Sequence, residues 1–321
     1  MSVSIFRKSA HFAASAFAIL MLTACSDSKT TIVERDPVPV DSKPDDEHDQ
    51  EHGEAAGRLL ISAKDEPHVY LYDLEEKAIV GDIHLDGVPT ALYASPSKRY
   101  GIVVKGGDNG GVNFVDSGIY LEAHGDHSDL MESDPMLMEV GLSGDRPAHV
   151  TQADGRVAVF FDGNAGAPAR VSVLDEHFLE GEEEAAELTY AENQHGAVQV
   201  RGDYLLSTVR YPELDPESTL PSRVALYHLH GDHYDMETEF DVDCPGLHGS
   251  AQNHHDIAFG CSDGVLLIEQ DEADPAQFQA RKVAFDQRIG SLFGHEDMDG
   301  FVGVGSGILY GIIRTAGHRV Q

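Results

Sequence analysis

From Leu59 onward, short apolar runs alternate with polar turns rich in Gly and Asp. Leu59–Ser62, Val69–Asp73 and Ala78–Leu85 read as three strands with turns between them. Thr90–Ser95, Gly101–Val104 and Val112–Val115 form a second group, and Met138–Leu142 joins it only after a long insertion at residues 118–138. Strand runs then recur at Val157–Phe161, Val171–Leu174, Leu205–Val209, Val224–Leu229, Thr238–Val242, Ile257–Cys261 and Val265–Glu269. A last group begins near Ile289 and includes Phe301–Val304. Little of the chain reads as helix. Many short strands with this turn punctuation predict an all-β chain.

The runs repeat. His149, His195 and His248 each precede a short strand-like run, a polar turn and a second apolar strand. That second strand begins nine residues after the His, at Ala158, Tyr204 and Ile257. The repeats are spaced 46 and 53 residues apart. Such a period, with several strands per unit, predicts a β-propeller. Residues 57–321 hold about five such units plus fragments, whereas propellers commonly close with roughly six to eight blades. The segment Gly311–Gln321 lacks the blade texture. The expectation is therefore an incomplete propeller, truncated at its C-terminus, with unpaired sheet edges.

Ahead of the propeller lie two other regions. Arg7 and Lys8, the apolar stretch Phe12–Leu22 and the tetrad Leu22-Thr23-Ala24-Cys25 predict a lipoprotein signal peptide over residues 1–25, with Cys25 lipidated. The alternative is an ordinary secretory signal. Residues 26–56 are polar, acidic and proline-containing, which predicts a disordered tether, and His48 and His52 lie in it among acids. Export implies an oxidising compartment, so Cys244 and Cys261 are expected to form a disulfide rather than a pair of soft metal ligands. The net charge is −34, from 22 Lys+Arg against 56 Asp+Glu. That balance argues against nucleic acid or anionic lipid as a partner and leaves a lipid anchor as the membrane link.

The 18 histidines carry the candidate chemistry. Equivalent positions in successive blades ring the central axis, so His149, His195 and His248 would face a common space, and neutral imidazole is a common ligand for Zn²⁺. One His at a strand start is ordinarily structural; the recurrence is what points to a metal. In the insertion, His124-Gly125-Asp126-His127 offers two imidazoles and a carboxylate in a flexible loop. The same tetrad at His230-Gly231-Asp232-His233 fills a short turn and reads as solvated. His48 and His52 form at best a weak, exchangeable site. His254 and His255 fall at the far end of a ring strand, and His295 lies nearer a turn than the ring position. Hydrolase elbows, phosphate loops and His-Glu-x-x-His are lacking, as is Trp.

The chain resembles the AztD family of periplasmic zinc metallochaperones that accompany the AztABC importer. The resemblance lies in Val115-Asp116-Ser117-Gly118 leading to His124-Gly125-Asp126-His127, in Arg146-Pro147-Ala148-His149 with Phe160-Phe161-Asp162-Gly163, and in Gln194-His195-Gly196 with Gly202–Thr208. It continues through Cys244-Pro245-Gly246-Leu247-His248-Gly249 and Ala258-Phe259-Gly260-Cys261, and covers roughly residues 57–310. It implies a zinc-binding propeller that passes Zn²⁺ to the solute-binding protein of a zinc ABC transporter, with no catalysis. Two alternatives stand beside it: a metal-dependent hydrolase or lactonase, and a propeller scaffold for protein partners. The lipobox and the abrupt end are departures from the family pattern.

Overall fold

In the computed structural model, the residues described are 57–125, 127–181, 183–295, 298, 300–305, 308–315 and 319–320; beyond residue 305 only the backbone is described. The segments assigned to the signal peptide and tether, with Cys25, His48 and His52, lie outside them, as does Asp126.

Six small antiparallel sheets follow one another along the chain. The first contains β1 (Arg58–Ser62), β2 (His68–Asp73) and β3 (Ala78–His84). The second contains β4 (Ala91–Ala94), β5 (Tyr100–Lys105), β6 (Gly110–Asp116) and β9 (Met136–Gly144), with a separate hairpin, β7 (Ile119–His124) and β8 (His127–Glu132), inserted before β9. The third is β10 (Pro147–Ala153), β11 (Arg156–Phe161), β12 (Arg170–Leu174) and β13 (Ala186–Thr189), with the short helix α1 (Glu176–Leu179) before β13. The fourth is β14 (Val198–Arg201), β15 (Tyr204–Val209), β16 (Arg223–His230) and β17 (His233–Glu239). β18 (Ser250–Gln252), β19 (Asp256–Cys261), β20 (Gly264–Gln270) and β21 (Phe278–Ala284) make the fifth. β22 (Ser291–Phe293), β23 (Gly300–Gly305), β24 (Ile308–Thr315) and β25 (Arg319–Val320) make the sixth. A single parallel pairing, Glu187 with His233, links the outer edges of the third and fourth sheets.

This is the architecture of propeller blades. First strands pack against first strands, as β10 does against β14 and β14 against β18. Second strands are covered on both faces, so they read as continuous apolar runs: every residue of β19 is buried, and so is all of β11 after Arg156. Outer strands such as β21 alternate between half-buried and exposed positions.

The core is a series of layers between sheets rather than one centre. Val103 and Val115 pack with Leu71 between the first and second sheets; Ile102 and Phe114 pack with Phe161 and Leu174 between the second and third. Phe160 joins Val171, Leu205 and Tyr227 between the third and fourth, and Leu206 and Leu226 meet Ile257 and Phe259 between the fourth and fifth. Adjacent residues Phe160 and Phe161 thus serve opposite layers, as strand alternation requires. Each buried phenylalanine side chain contributes about 1.5–3 kcal/mol of burial.

Two expectations need correction. Gly311–Thr315, read as lacking blade texture, belongs to β24, where Ile312 pairs with Phe301 and Ile313 with Gly300. The apolar run here is only Ile312-Ile313 between Gly311 and Arg314, too short to mark a strand alone, and pairing with β23 makes it one. The insertion at 118–138 is a paired hairpin rather than a flexible loop, with Gly125 at φ +65 in its turn. Arg58 ties down its base by donating to the carbonyl oxygens of Ser117 and Ser133 at 2.6 and 2.8 Å.

Candidate metal centre

The three ring histidines converge. His149 lies within β10, opposite Phe160 on β11. His195 and His248 stand just ahead of β14 and β18, the corresponding first strands. Backbone bonds fix both: the His195 amide donates to the Thr219 carbonyl and the His248 amide to that of Gly260, each at 2.9 Å. The next residue after His195 must be glycine. A Cβ on Gly196 would sit 2.2 Å from the Phe160 ring and 2.5 Å from Thr208 Oγ1. The ring centroids of His149 and His195 are 5.0 Å apart, those of His195 and His248 4.9 Å, and those of His149 and His248 5.7 Å.

The hydrogen bonds fix which nitrogen faces inward. Nδ1 of His248 meets the Gly290 carbonyl oxygen at 2.6 Å, and Nδ1 of His195 meets Asp162 Oδ2 at 2.6 Å. Both partners are acceptors, so each Nδ1 carries its proton and donates. In the neutral rings both Nε2 atoms are then bare lone pairs, and they face one another at 3.0 Å. Two acceptors at that distance repel unless a cation lies between them. His149 completes the set: its Nε2 is buried and has no hydrogen-bond partner. Burial, reinforced by the neighbouring imidazoles of His195 and His248, pushes its pKa down to about 4, so it is neutral at pH 7.

Three imidazoles therefore turn a nitrogen to one space, with donor atoms all within 4.8 Å of one another. Tetrahedral zinc with Zn–N of 2.0–2.1 Å needs nitrogens about 3.3 Å apart, which small side-chain rotations reach. The set fits Zn²⁺ with one coordination position left open. The Asp162–His195 bond has the form of a carboxylate that orients a ligand imidazole. Asp162 and Gly290 have no role in the sequence reading. Asp162 was within reach, since it stands in the Phe160–Gly163 motif, but its contact with His195 across 33 residues is made only by folding.

The other predicted donors lie elsewhere. Among the described residues, two groups bring three donor atoms together: the ring set, and His228, His230 and Glu237. His124 and His127 belong to neither. They face one another across the tip of the β7–β8 hairpin with ring centroids 6.2 Å apart, and His124 Nε2 is 3.5 Å from Glu122 and 3.7 Å from Asp129. Cys244 and Cys261 are joined by a disulfide and wholly buried, which removes them as thiolate ligands. His254 and His295 line a cavity of about 560 Å³ at the opposite end of the first strands, beside Thr151, Gln199 and Arg201. His255 Nδ1 lies 3.2 Å from Glu272.

No family model matches the chain. It is related to the zinc chaperone AztD of Citrobacter koseri, with 30% identity over 251 residues, or 77% of this chain. The chain spans 57% of that relative's length. Among solved structures it is similar to that of Citrobacter koseri AztD, with a TM-score of 0.67 and 24% identity over 83% of this chain and 69% of the other. The apo form of that protein gives the same TM-score at 25% identity, again over 83% of this chain and over 70% of its own. Hydrazine synthase of Kuenenia stuttgartiensis shares the fold alone, at 12% identity and a TM-score of 0.51 over 81% of this chain and 80% of the other.

Proposed function

We propose, taking the chain's kinship with AztD as the premise, that it is a zinc chaperone whose cargo is held by His149, His195 and His248. The observation that carries this is the arrangement of bare lone pairs: His195 and His248 have their Nδ1 protons committed to Asp162 and Gly290, and His149 Nε2 is buried without a partner. Metal-free, such a cluster is held together against its own repulsion; a divalent cation relieves it. Zinc is carried here, not used to drive a reaction, and the protein is read as a non-enzyme.

The same reading makes the open coordination position the route of exchange. A ligand from an acceptor would enter there, bind zinc beside the three imidazoles and draw it away stepwise. The acceptor class proposed is the solute-binding protein of a zinc ABC importer, which places the chain in the periplasm, tethered by lipid on Cys25. No helix among the described residues is long and apolar enough to cross a membrane. His124, Asp126 and His127 are proposed as a secondary, hairpin-borne contact for the same ion, and His48 and His52 as weak relay ligands. Equilibrium dialysis against buffered zinc followed by metal analysis tests the central claim. One tightly held equivalent is expected, lost when His195 and His248 are both changed to Ala. A protein that stays metal-free at micromolar free zinc ends the reading.

A further inference from the structure

The turn His230-Gly231-Asp232-His233 looks like a solvated loop, but the strands that lead into and out of it bring together more than the turn. β16 and β17 pair antiparallel, with His228 opposite Asp235 and His230 opposite His233. His228 and His230 are two apart on one strand and so project from the same face. The register shifts between Leu226 and Tyr227: Leu226 pairs with Thr238, but Tyr227 pairs with Met236. Glu237 is the extra residue of this bulge. Asp235 stands opposite His228 and so shares its face, and Glu237, two residues further along β17, falls on that same face by strand alternation. Glu237 Oε1 ends 4.0 Å from His228 Nδ1 and 4.0 Å from His230 Nε2.

We propose that His228, His230 and Glu237 form a second divalent-cation site, of the two-imidazole, one-carboxylate class suited to Zn²⁺. The three donor atoms fall within 4.8 Å of one another. Donors around tetrahedral zinc stand about 3.3 Å apart, so the two carboxylate contacts need about 0.7 Å of closure and no donor pair more than about 1.5 Å. The imidazoles are already organised: the His228 and His230 rings meet edge to face at 5.0 Å, and His228 stacks on Tyr204 at 4.8 Å. Tyr204 in turn packs edge-on against Phe278 of the fifth sheet, which seats the site at the seam between two blades. His233 is engaged with Asp232 at 3.1 Å and Asp235 at 3.6 Å, and is left out of the set.

Exposure distinguishes this site from the ring. His230 and Glu237 are about half exposed, at 49% and 50%, and His228 is 33% exposed. Water competes for each donor and fills the remaining coordination positions, so the site binds more weakly and exchanges faster than the ring. The surplus of acids in the chain, at a net charge of −34, raises the local cation concentration around such a surface site. The opposing view is that His228, His230 and Glu237 are ordinary solvent-facing ion pairs that hold no metal.

The test uses the full chain stripped of metal. Zn²⁺ is titrated against a chromophoric chelator, and Co²⁺ is added separately to report coordination by its visible absorption. Two classes of site are expected in the parent protein. His228→Gln with His230→Gln should abolish one weak equivalent and its Co²⁺ band while leaving the tight class unmoved. Glu237→Gln, on an exposed outer strand, guards against a folding defect; it should weaken that class about tenfold or more with an unchanged circular dichroism spectrum. Changing His195 and His248 to Ala should do the reverse, removing the tight class alone. A titration of the double variant that overlays the parent's overturns the proposal. If the parent lacks a tight class but loses its weak one on changing His228 and His230, the ring reading fails and this one stands.

Discussion

Asp162→Asn separates the orienting role of the carboxylate from every other feature of the ring. The side chain is only 16% exposed, its Oδ2 receives the Nδ1 proton of His195 at 2.6 Å, and its Oδ1 is buried without a partner. Asparagine keeps the shape and can still accept from His195, but it removes the negative charge that makes the imidazole a stronger electron donor. Loss of such an outer partner typically costs 10- to 100-fold in metal affinity. At about 1.4 kcal/mol per decade this is about 1.4–2.8 kcal/mol. The short distance and low exposure place the expectation in the upper half of that range. Apo stability should move by no more than about 1 kcal/mol, since a hydrogen bond is retained and a buried charge is removed. Zinc competition against a chromophoric chelator at pH 7 gives the affinity, and urea unfolding of the metal-free protein gives the stability. An affinity equal to the parent's would refute the claim that the charge of Asp162 strengthens His195 as a ligand.

Four further outcomes follow from the same geometry. The folded pKa of His149 is about 4, below the ordinary 6.5, so the unfolded chain takes up that proton first as pH falls. Metal-free protein should therefore lose up to about 3 kcal/mol of stability between pH 6.5 and 4, and His149→Gln should flatten that slope in urea titrations. The Cys244–Cys261 bridge, at a sequence separation of 17, should show as a mass two hydrogens below the reduced chain, and replacing both with Ala should cost about 3 kcal/mol. Gly196→Ala places a methyl group 2.2 Å from the Phe160 ring; a loss of about 1–3 kcal/mol and of tight zinc binding is expected, and a parental melting temperature would show the fit to be looser than it is. Deleting residues 45–54 should leave the tight affinity intact while slowing transfer to an acceptor in stopped-flow exchange; unchanged kinetics would reduce that segment to a linker.

Sequence alone was enough for everything that depends on local pattern. Short apolar runs with Gly and Asp turns require strands, because buried backbone must pair and the runs are too short for helices. The nine-residue offset from each His to its second strand is a hairpin length, and its recurrence placed His149, His195 and His248 at matching positions. Cys244 and Cys261 were legible as a pair because both belong to one repeat, and the structure joins them. What the tertiary structure decided is what each side chain meets across sheets. Asp162 orients His195 and the Gly290 carbonyl orients His248 through contacts spanning 33 and 42 residues, and no local pattern encodes them. Glu237 joins His228 and His230 only through the pairing of β16 with β17, whose register sets which residues of the two strands stand side by side. His124 and His127, three apart in sequence and chemically suited to metal, face each other across a hairpin tip where water reaches both. A ligand's identity is written in its residue type; its strength is set by desolvation and by the partner on its other nitrogen, and those come from packing.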